Sequence, residues 1–254
     1  MDQLAWRAKI GLIVVSSGIV PEARYARVAL PGVGFFASRM LLPIGGGLRG
    51  LAEMERSAAR AAEELASAQV DAIAYCCTVS GALRGIEADR EFCREMEERL
   101  GIPTTSTMLA AVEALQHLGL NRVVVTSPYP HSYHEPERAY LESAGIQPIA
   151  MRGMGLTEGW EFAAVLPEEI YRFSLDAWDD RADGLFISCM NFDAMPAAEA
   201  LEDRLQKPVV TSHSATLWRA LGLAGIEDPV PGCGRLLREP RHVAQPGATA
   251  GRRG

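Results

Sequence analysis

The feature that most constrains this chain is a rhythm in which short apolar, β-branched runs recur between longer stretches with Ala and Leu at helical spacing. Residues 10–15, 72–75, 122–126, 184–187 and 208–211 read as strands buried on both faces, because runs without polar alternation leave neither side for water. Residues 51–68, 90–100, 109–118, 136–143 and 168–177 read as helices. Strand–helix alternation of this kind predicts α/β architecture with a parallel, doubly wound sheet.

The sequence also repeats itself. Glu97-Glu98-Arg99-Leu100-Gly101-Ile102-Pro103-Thr104-Thr105-Ser106 returns 105 positions later as Glu202-Asp203-Arg204-Leu205-Gln206-Lys207-Pro208-Val209-Val210-Thr211. The run starting at Ile10 resembles the run starting at Asn121, about 111 positions on. Helix–strand units converge on such patterns, but two matches at similar offsets favour an internal duplication. The halves are expected at residues 1–119 and 120–212, the first completed by a C-terminal helical segment, 213–239, that packs back onto it. A tail at 240–254, rich in Arg, Gly, Ala and Pro, is expected to be disordered.

With 254 residues, 48% of them hydrophobic, the chain can bury one large core or two half-sized ones. A net charge of −7 argues against a nucleic-acid partner, which would call for a basic stripe. The N-terminal apolar run of about six residues is too short for a signal sequence or a membrane span. A cytoplasmic protein with no membrane partner is expected, and a homo-oligomer stays open. The five cysteines, Cys76, Cys77, Cys93, Cys189 and Cys233, show neither a disulfide framework nor paired zinc-ligand spacing, so no metal and no cofactor is expected.

Ligands of open α/β sheets bind beyond the carboxyl ends of the strands. The residues read as following the strands are Ser16-Ser17-Gly18, Cys77-Thr78-Val79-Ser80-Gly81, Thr104-Thr105-Ser106, Thr126-Ser127-Pro128-Tyr129, Ser188-Cys189-Met190-Asn191 and Thr211-Ser212-His213, with no carboxylate among them. Helix capping is the commoner role for any one such cluster. Six together favour an anionic ligand, because hydroxyls and main-chain N–H groups all donate to carboxylate oxygens.

Cys77 and Cys189 take matched places, each after a buried strand and, by this reading, before a helix whose N-terminus would lower the thiol pKa. Cys76 points to the opposite face of its strand. A small buried hydrophobe is the usual fate of a free cysteine and is the reading for Cys76, Cys93 and Cys233. His213 reads as a pocket neighbour rather than a base. Gly45-Gly46-Gly47 follows no clear strand and lacks a phosphate-loop pattern, so it reads as a mobile lid. Leu41, Leu42, Leu156 and Trp160 could line an aryl pocket.

In this order, Ile10-Gly-Leu-Ile-Val, Gly18-Ile-Val-Pro21, Thr78-Val-Ser80 with Arg84-Gly85, Pro103-Thr-Thr-Ser106, Thr126-Ser-Pro-Tyr129, Ile187-Ser-Cys189, Pro208-Val-Val-Thr-Ser212 and Pro231-Gly-Cys-Gly-Arg-Leu236 resemble the aspartate/glutamate racemase superfamily, in its branch of arylmalonate decarboxylases and maleate cis–trans isomerases. The resemblance implies two pseudo-repeated Rossmann-like, flavodoxin-like domains with the site between them and no cofactor. It implies that Cys77 and Cys189 are catalytic, and that Ser17, Gly18, Thr78, Val79, Ser80, Tyr129, Met190 and Asn191 bind a small carboxylate or dicarboxylate. Arylmalonate decarboxylases carry glycine at the first thiol position, where this chain has Cys77. Maleate isomerases usually carry an asparagine where this chain has Gly18.

Two thiols on opposite faces of one carbon suit racemisation of an α-carbon, and equally a cis–trans isomerisation in which Cys77 adds to the double bond. The alternatives are an arylmalonate-type decarboxylase with Cys189 as proton donor and a small-carboxylate binding protein.

Overall fold

The computed structural model describes residues 4–28 and 30–239. The tail expected to be disordered, 240–254, lies outside them. The first half runs β1 (Ala8–Val15), α1 (Val20–Tyr25), β2 (Val33–Met40), α2 (Gly47–Glu55), α3 (Ala58–Ser67), β3 (Ala72–Cys76), α4 (Thr78–Arg84), α5 (Ile86–Leu100), β4 (Thr104–Ser106) and α6 (Thr107–His117). The second runs β5 (Arg122–Ser127), α7 (His134–Ser143), β6 (Gln147–Gly153), α8 (Gly159–Ala164), α9 (Pro167–Asp176), β7 (Gly184–Ile187), α10 (Ala198–Leu205), β8 (Val209–Thr211) and α11 (Ser212–Leu223), with a last turn, α12 (Arg235–Arg238).

All strands pair in parallel, in two four-stranded sheets ordered β2-β1-β3-β4 and β6-β5-β7-β8. The identical order is the duplication made visible, and it is the flavodoxin-like winding, with a switch point beside the first strand of each half. The repeat extends to its punctuation. Gly101 and Gln206, 105 positions apart, end α5 and α10 in the left-handed conformation, at φ 67° and 56°. Ser106 and Thr211, at the same offset, cap α6 and α11 by accepting the Leu109 and Ser214 N–H at 3.1 and 2.9 Å.

Both capped helices are almost wholly buried, and they pack against each other between the sheets. Their apolar faces merge with Ile10, Leu12 and Val14 on one side and Val123, Val125 and Phe186 on the other into one continuous core. A shared core holds the carboxyl ends of the two sheets in fixed relation, which a site built from both halves requires.

The structure departs from the expected elements in three ways. The helix expected over 51–68 is two helices, separated where Arg56 and Ser57 N–H bond back three residues to Glu53 and Met54, a tight turn that lets α3 lie along β1 and β2. Thr104-Thr105-Ser106 is not a segment after a strand but the strand β4 itself. Strands β2 and β6 were not expected at all. Each is the edge of its sheet and half-exposed; polar residues break up β6, and the run at 33–37 of β2 contains Gly34 and leads into Ser38 and Arg39.

Candidate active site

A cavity of about 540 Å³ opens at the carboxyl ends of β1, β2 and β3 in one sheet and β5, β6 and β7 in the other. Ser17, Gly18, Cys77, Thr78, Val79, Tyr129, Cys189, Met190 and Asn191 line it. Ser80 stands one layer back, where its Oγ accepts from Cys77 Sγ at 3.3 Å. Among the described residues that line it there is no lysine or arginine. A bound carboxylate would therefore be held by hydroxyls and main-chain N–H groups.

Cys77 occupies the N-cap of α4 in extended backbone. The N–H groups of the first turn beyond it have no carbonyl one turn back to bond. Burial pushes its thiol pKa up, opposed by the Ser80 hydroxyl, the Ser80 N–H and the Arg84 guanidinium. Arg84 is fixed by Glu55 at 2.6 Å and the fully buried Asp89 at 2.8 Å, and lies 3.9 Å over the Phe92 ring. The lowered thiol expected from a helix N-terminus is corrected here: burial outweighs one short helix turn. Cys76 also reaches the wall, but its sulfur turns back toward the Ala74 carbonyl at 3.4 Å.

Cys189 follows β7, yet no helix starts behind it; Met190 to Ala194 form a loop and α10 begins only at Ala198. The expected helix N-terminus is absent at this thiol. Its backbone is at φ 117°, a region that favours glycine. Its N–H donates to Ser212 Oγ at 3.0 Å, and Ser212 in turn meets Thr78 Oγ1 at 3.2 Å, so a chain of hydroxyls joins the two thiol loops. Burial pushes the Cys189 pKa up to about 12 against help from Tyr129 and from the Asn191 N–H, which points at Sγ from 3.3 Å. Tyr129, held well above its usual pKa by burial, stays a hydrogen-bond donor. Its ring stacks on Tyr133 and meets Phe162 edge-on.

Asn191 does something the sequence did not suggest. Its Oδ1 accepts from Ile19 N–H at 3.0 Å and Val20 N–H at 3.3 Å, while Nδ2 donates to Ser17 O at 3.2 Å and Gly159 O at 2.6 Å. The amide is thus spent on tying three loops together across the mouth.

Other expectations need revision. His213 is fully buried and absent from the lining; among the described residues its ring nitrogens meet no partner in good hydrogen-bond geometry, with the Met190 main chain facing the ring, burial lowers its pKa to about 4, and its carbonyl accepts from Tyr25. Leu41, Leu42 and Trp160 reach the wall but Leu156 does not. Gly45–Gly47 follow β2 after all and lead into α2 at the rim. Missing from the sequence reading were Pro43 and Ile44, Tyr133, the segment from Thr157 to Gly159, and Phe162. The carboxylate Glu158 is among them, so the lining is not free of carboxylates. Most of these follow the unrecognised β6. Among the described residues no group of His, Cys, Asp or Glu is placed to hold a metal ion, and no helix is long and apolar enough to cross a membrane.

The sequence model of the arylmalonate decarboxylase family matches residues 10–237. This chain belongs to the arylmalonate decarboxylase family. A maleate isomerase from Alcaligenes faecalis is 26% identical over 243 residues, covering 90% of this chain and 96% of the relative. The arylmalonate decarboxylase of Bordetella bronchiseptica is 30% identical over 159 residues, 61% of this chain and 66% of its own. Among solved structures, a Pseudomonas putida maleate isomerase variant with maleate superposes with a TM-score of 0.86 at 25% identity, over 91% of this chain and 97% of its own. A Nocardia farcinica maleate cis–trans isomerase variant carrying a covalently bound succinylcysteine intermediate gives 0.82 at 26% identity, over 91% and 98%. The expected branch of the superfamily is borne out, and with these relatives the chain is an enzyme rather than a binding module.

Proposed function

We propose that this arylmalonate decarboxylase family member isomerises a small cis-unsaturated dicarboxylate of the maleate type, using Cys77 as nucleophile and Cys189 as acid and base. The observation that carries the reading is the presentation of two thiols, one from each sheet, on the wall of one cavity. The maleate isomerases among its relatives, one of them seen as a succinylcysteine, supply the chemistry.

Burial raises both thiols; Ser80 and Arg84 favour the thiolate at Cys77 against it, while Cys189, pushed up to about 12, keeps its proton at neutral pH. The Cys77 thiolate, its proton lost to water, adds to one alkene carbon. The π pair moves onto the neighbouring carbon and its carboxylate as an enediolate, and Cys189 delivers its proton to that carbon. A single carbon–carbon bond now joins the halves and rotates. Cys189 then withdraws a proton, the carbon–sulfur bond breaks, and the trans product leaves with both thiols restored. Thr78, Tyr129 and the N–H groups of Val79, Ser80 and Met190 hold the carboxylates and the enediolate. Both sulfurs must stay reduced, which suits a cytoplasmic setting; no disulfide forms among the five cysteines.

The rim of Leu41, Leu42, Ile44 and Trp160 favours a second reading, arylmalonate decarboxylation with Cys189 protonating the enediolate left by carbon dioxide. Incubation in deuterated water with maleate, single-enantiomer α-aryl acids and arylmalonates, followed by NMR and chiral analysis, separates the readings. The isomerase gives fumarate from maleate. Release of carbon dioxide from an arylmalonate to one deuterated enantiomer, with maleate untouched, would sink the proposal in favour of the second reading.

A further inference from the structure

Behind the cavity wall, on the Cys189 side, lies a carboxyl group that the reaction as written leaves unused. Glu137, in the first turn of α7, is only 2% exposed, and neither of its side-chain oxygens has a hydrogen-bond partner among the described residues. The polar side chain facing it is that of Ser188, fully buried, whose hydroxyl also lacks hydrogen-bond geometry to any partner. Stability alone would not place an unpaired acid here, since burying such a group costs free energy that an apolar residue would not. Burial pushes its pKa up to about 7, so it changes charge near neutrality.

Burial is the main cause that keeps Tyr129 and Cys189 protonated, and the Glu137 charge adds to it at both groups. Ser188 is the residue before Cys189, and its N–H is anchored to Thr126 O at 2.8 Å. The other ionisable groups around α7 are engaged elsewhere. Arg84 on α4 pairs with Glu55 and Asp89, Arg152 on β6 donates to Asp176 O, and Arg138 donates to Pro148 O. His134 meets Ser127 through Nε2, and His131 and Tyr133 sit in the turn that precedes α7. Among the described residues no ion pair joins any of these to Glu137. Behind the other thiol the larger charge effect has the opposite sign: the Arg84 cation favours the Cys77 thiolate and its partner Glu55 opposes this more weakly.

We propose that Glu137 is a positioning residue for Cys189: its buried carboxyl, facing Ser188, places negative charge behind this thiol and retains the proton there, while Arg84 favours the thiolate at Cys77. Two chemically identical side chains are thus assigned the acid and nucleophile roles by the charges one layer behind them. The inference rests on the two-thiol reading above and adds the origin of its asymmetry.

Glu137→Gln keeps the shape and hydrogen-bonding atoms of the side chain and removes its charge, so a merely structural role predicts no change in thiol titration. Full-length protein is alkylated with iodoacetamide across the neutral-to-alkaline range, and the Cys77 and Cys189 peptides are followed separately by mass spectrometry. Losing an anion makes the neighbouring thiolate easier to form. In the variant the Cys189 midpoint moves down by about one pH unit, so that below the midpoint it reacts on the order of tenfold faster, while the Cys77 midpoint holds. Ser188→Ala, which removes a group that favours ionised Glu137, gives faster Cys189 alkylation near pH 7. Unmoved Cys189 profiles in folded variants overturn the proposal, as does an equal shift at both thiols, which would mean general loosening. Full activity in Cys189→Ser would instead remove the reading on which the proposal rests, leaving the alkylation comparison intact.

Discussion

Replacing Asn191 by alanine deletes four hydrogen bonds from one side chain and tests whether the mouth of the cavity is held by that amide. Two of the bonds, from Ile19 N–H and to Ser17 O, are exposed, and water can replace them; the other two, from Val20 N–H and to Gly159 O, are partly buried. A partly buried bond contributes roughly 0.5–1.5 kcal/mol, so Asn191→Ala should cost about 1–3 kcal/mol, which for a chain of this size lowers Tm by about 2–12 °C. The larger effect should be on KM, since the freed loops carry Ser17, Gly18 and the Thr157–Gly159 rim. Gly159→Ala tests the same junction from the other side: a Cβ there would stand 2.6 Å from Ser17 Oγ, too close without displacing that loop. Thermal melting and steady-state kinetics on both variants check this. If Asn191→Ala melts within a degree of wild type with unchanged KM, the amide is not what holds the loops.

Further outcomes follow from the same geometry. Cys77→Ser and Cys189→Ser should each lose activity by orders of magnitude, whereas Cys76→Ser, whose sulfur turns back to Ala74, should retain it; a dead Cys76→Ser beside an active Cys77→Ser would reverse the assignment. His213 is held neutral, its pKa lowered from 6.5 to about 4, so below pH 6.5 the unfolded chain takes a proton that the folded one refuses. Stability present above pH 6.5 is therefore lost as pH falls toward 4, on the order of 3 kcal/mol from this group, and His213→Asn should flatten the acid limb of a Tm-against-pH curve. For Glu137, raised from 4.5 to about 7, the sign is opposite: its contribution is intact below pH 4.5 and lost as pH rises through 7, so Glu137→Gln should gain on wild type in Tm at pH 8 and not at pH 4.5. Cys189→Gly should melt above Cys189→Ala by about 1–2 kcal/mol, because only the alanine keeps a Cβ at φ 117°.

How much of this was legible in the residues depended on burial. Strands such as β3 and β7, covered on both faces, announced themselves as apolar runs, and with them came the positions of Cys77 and Cys189. The edge strand β6 carries Gln147, Pro148 and Arg152 and keeps only a three-residue apolar run, whereas β2 has a run at 33–37 that contains Gly34 and gives way to Ser38 and Arg39, and it went unread. Missing them had a direct cost at the site, since the Gly45–Gly47 rim and the Thr157–Gly159 segment hang from their ends. The resemblance suggested a substrate-binding role for Asn191, but no local pattern indicates that its amide reaches across 172 positions to Ile19. Glu137 was invisible for a different reason: on a helix whose other acidic residues face water, one glutamate looks like another until the fold buries it.

The backbone at Cys189 also bears on how such a protein changes through time. At φ 117° the fold prefers glycine, and the codons of cysteine and glycine differ by one base. Drift at this position runs downhill in folding free energy and destroys a thiol on the way. Folding stability gives no reason for a side chain at this position, so on the mechanism proposed above it is the chemistry that accounts for the thiol.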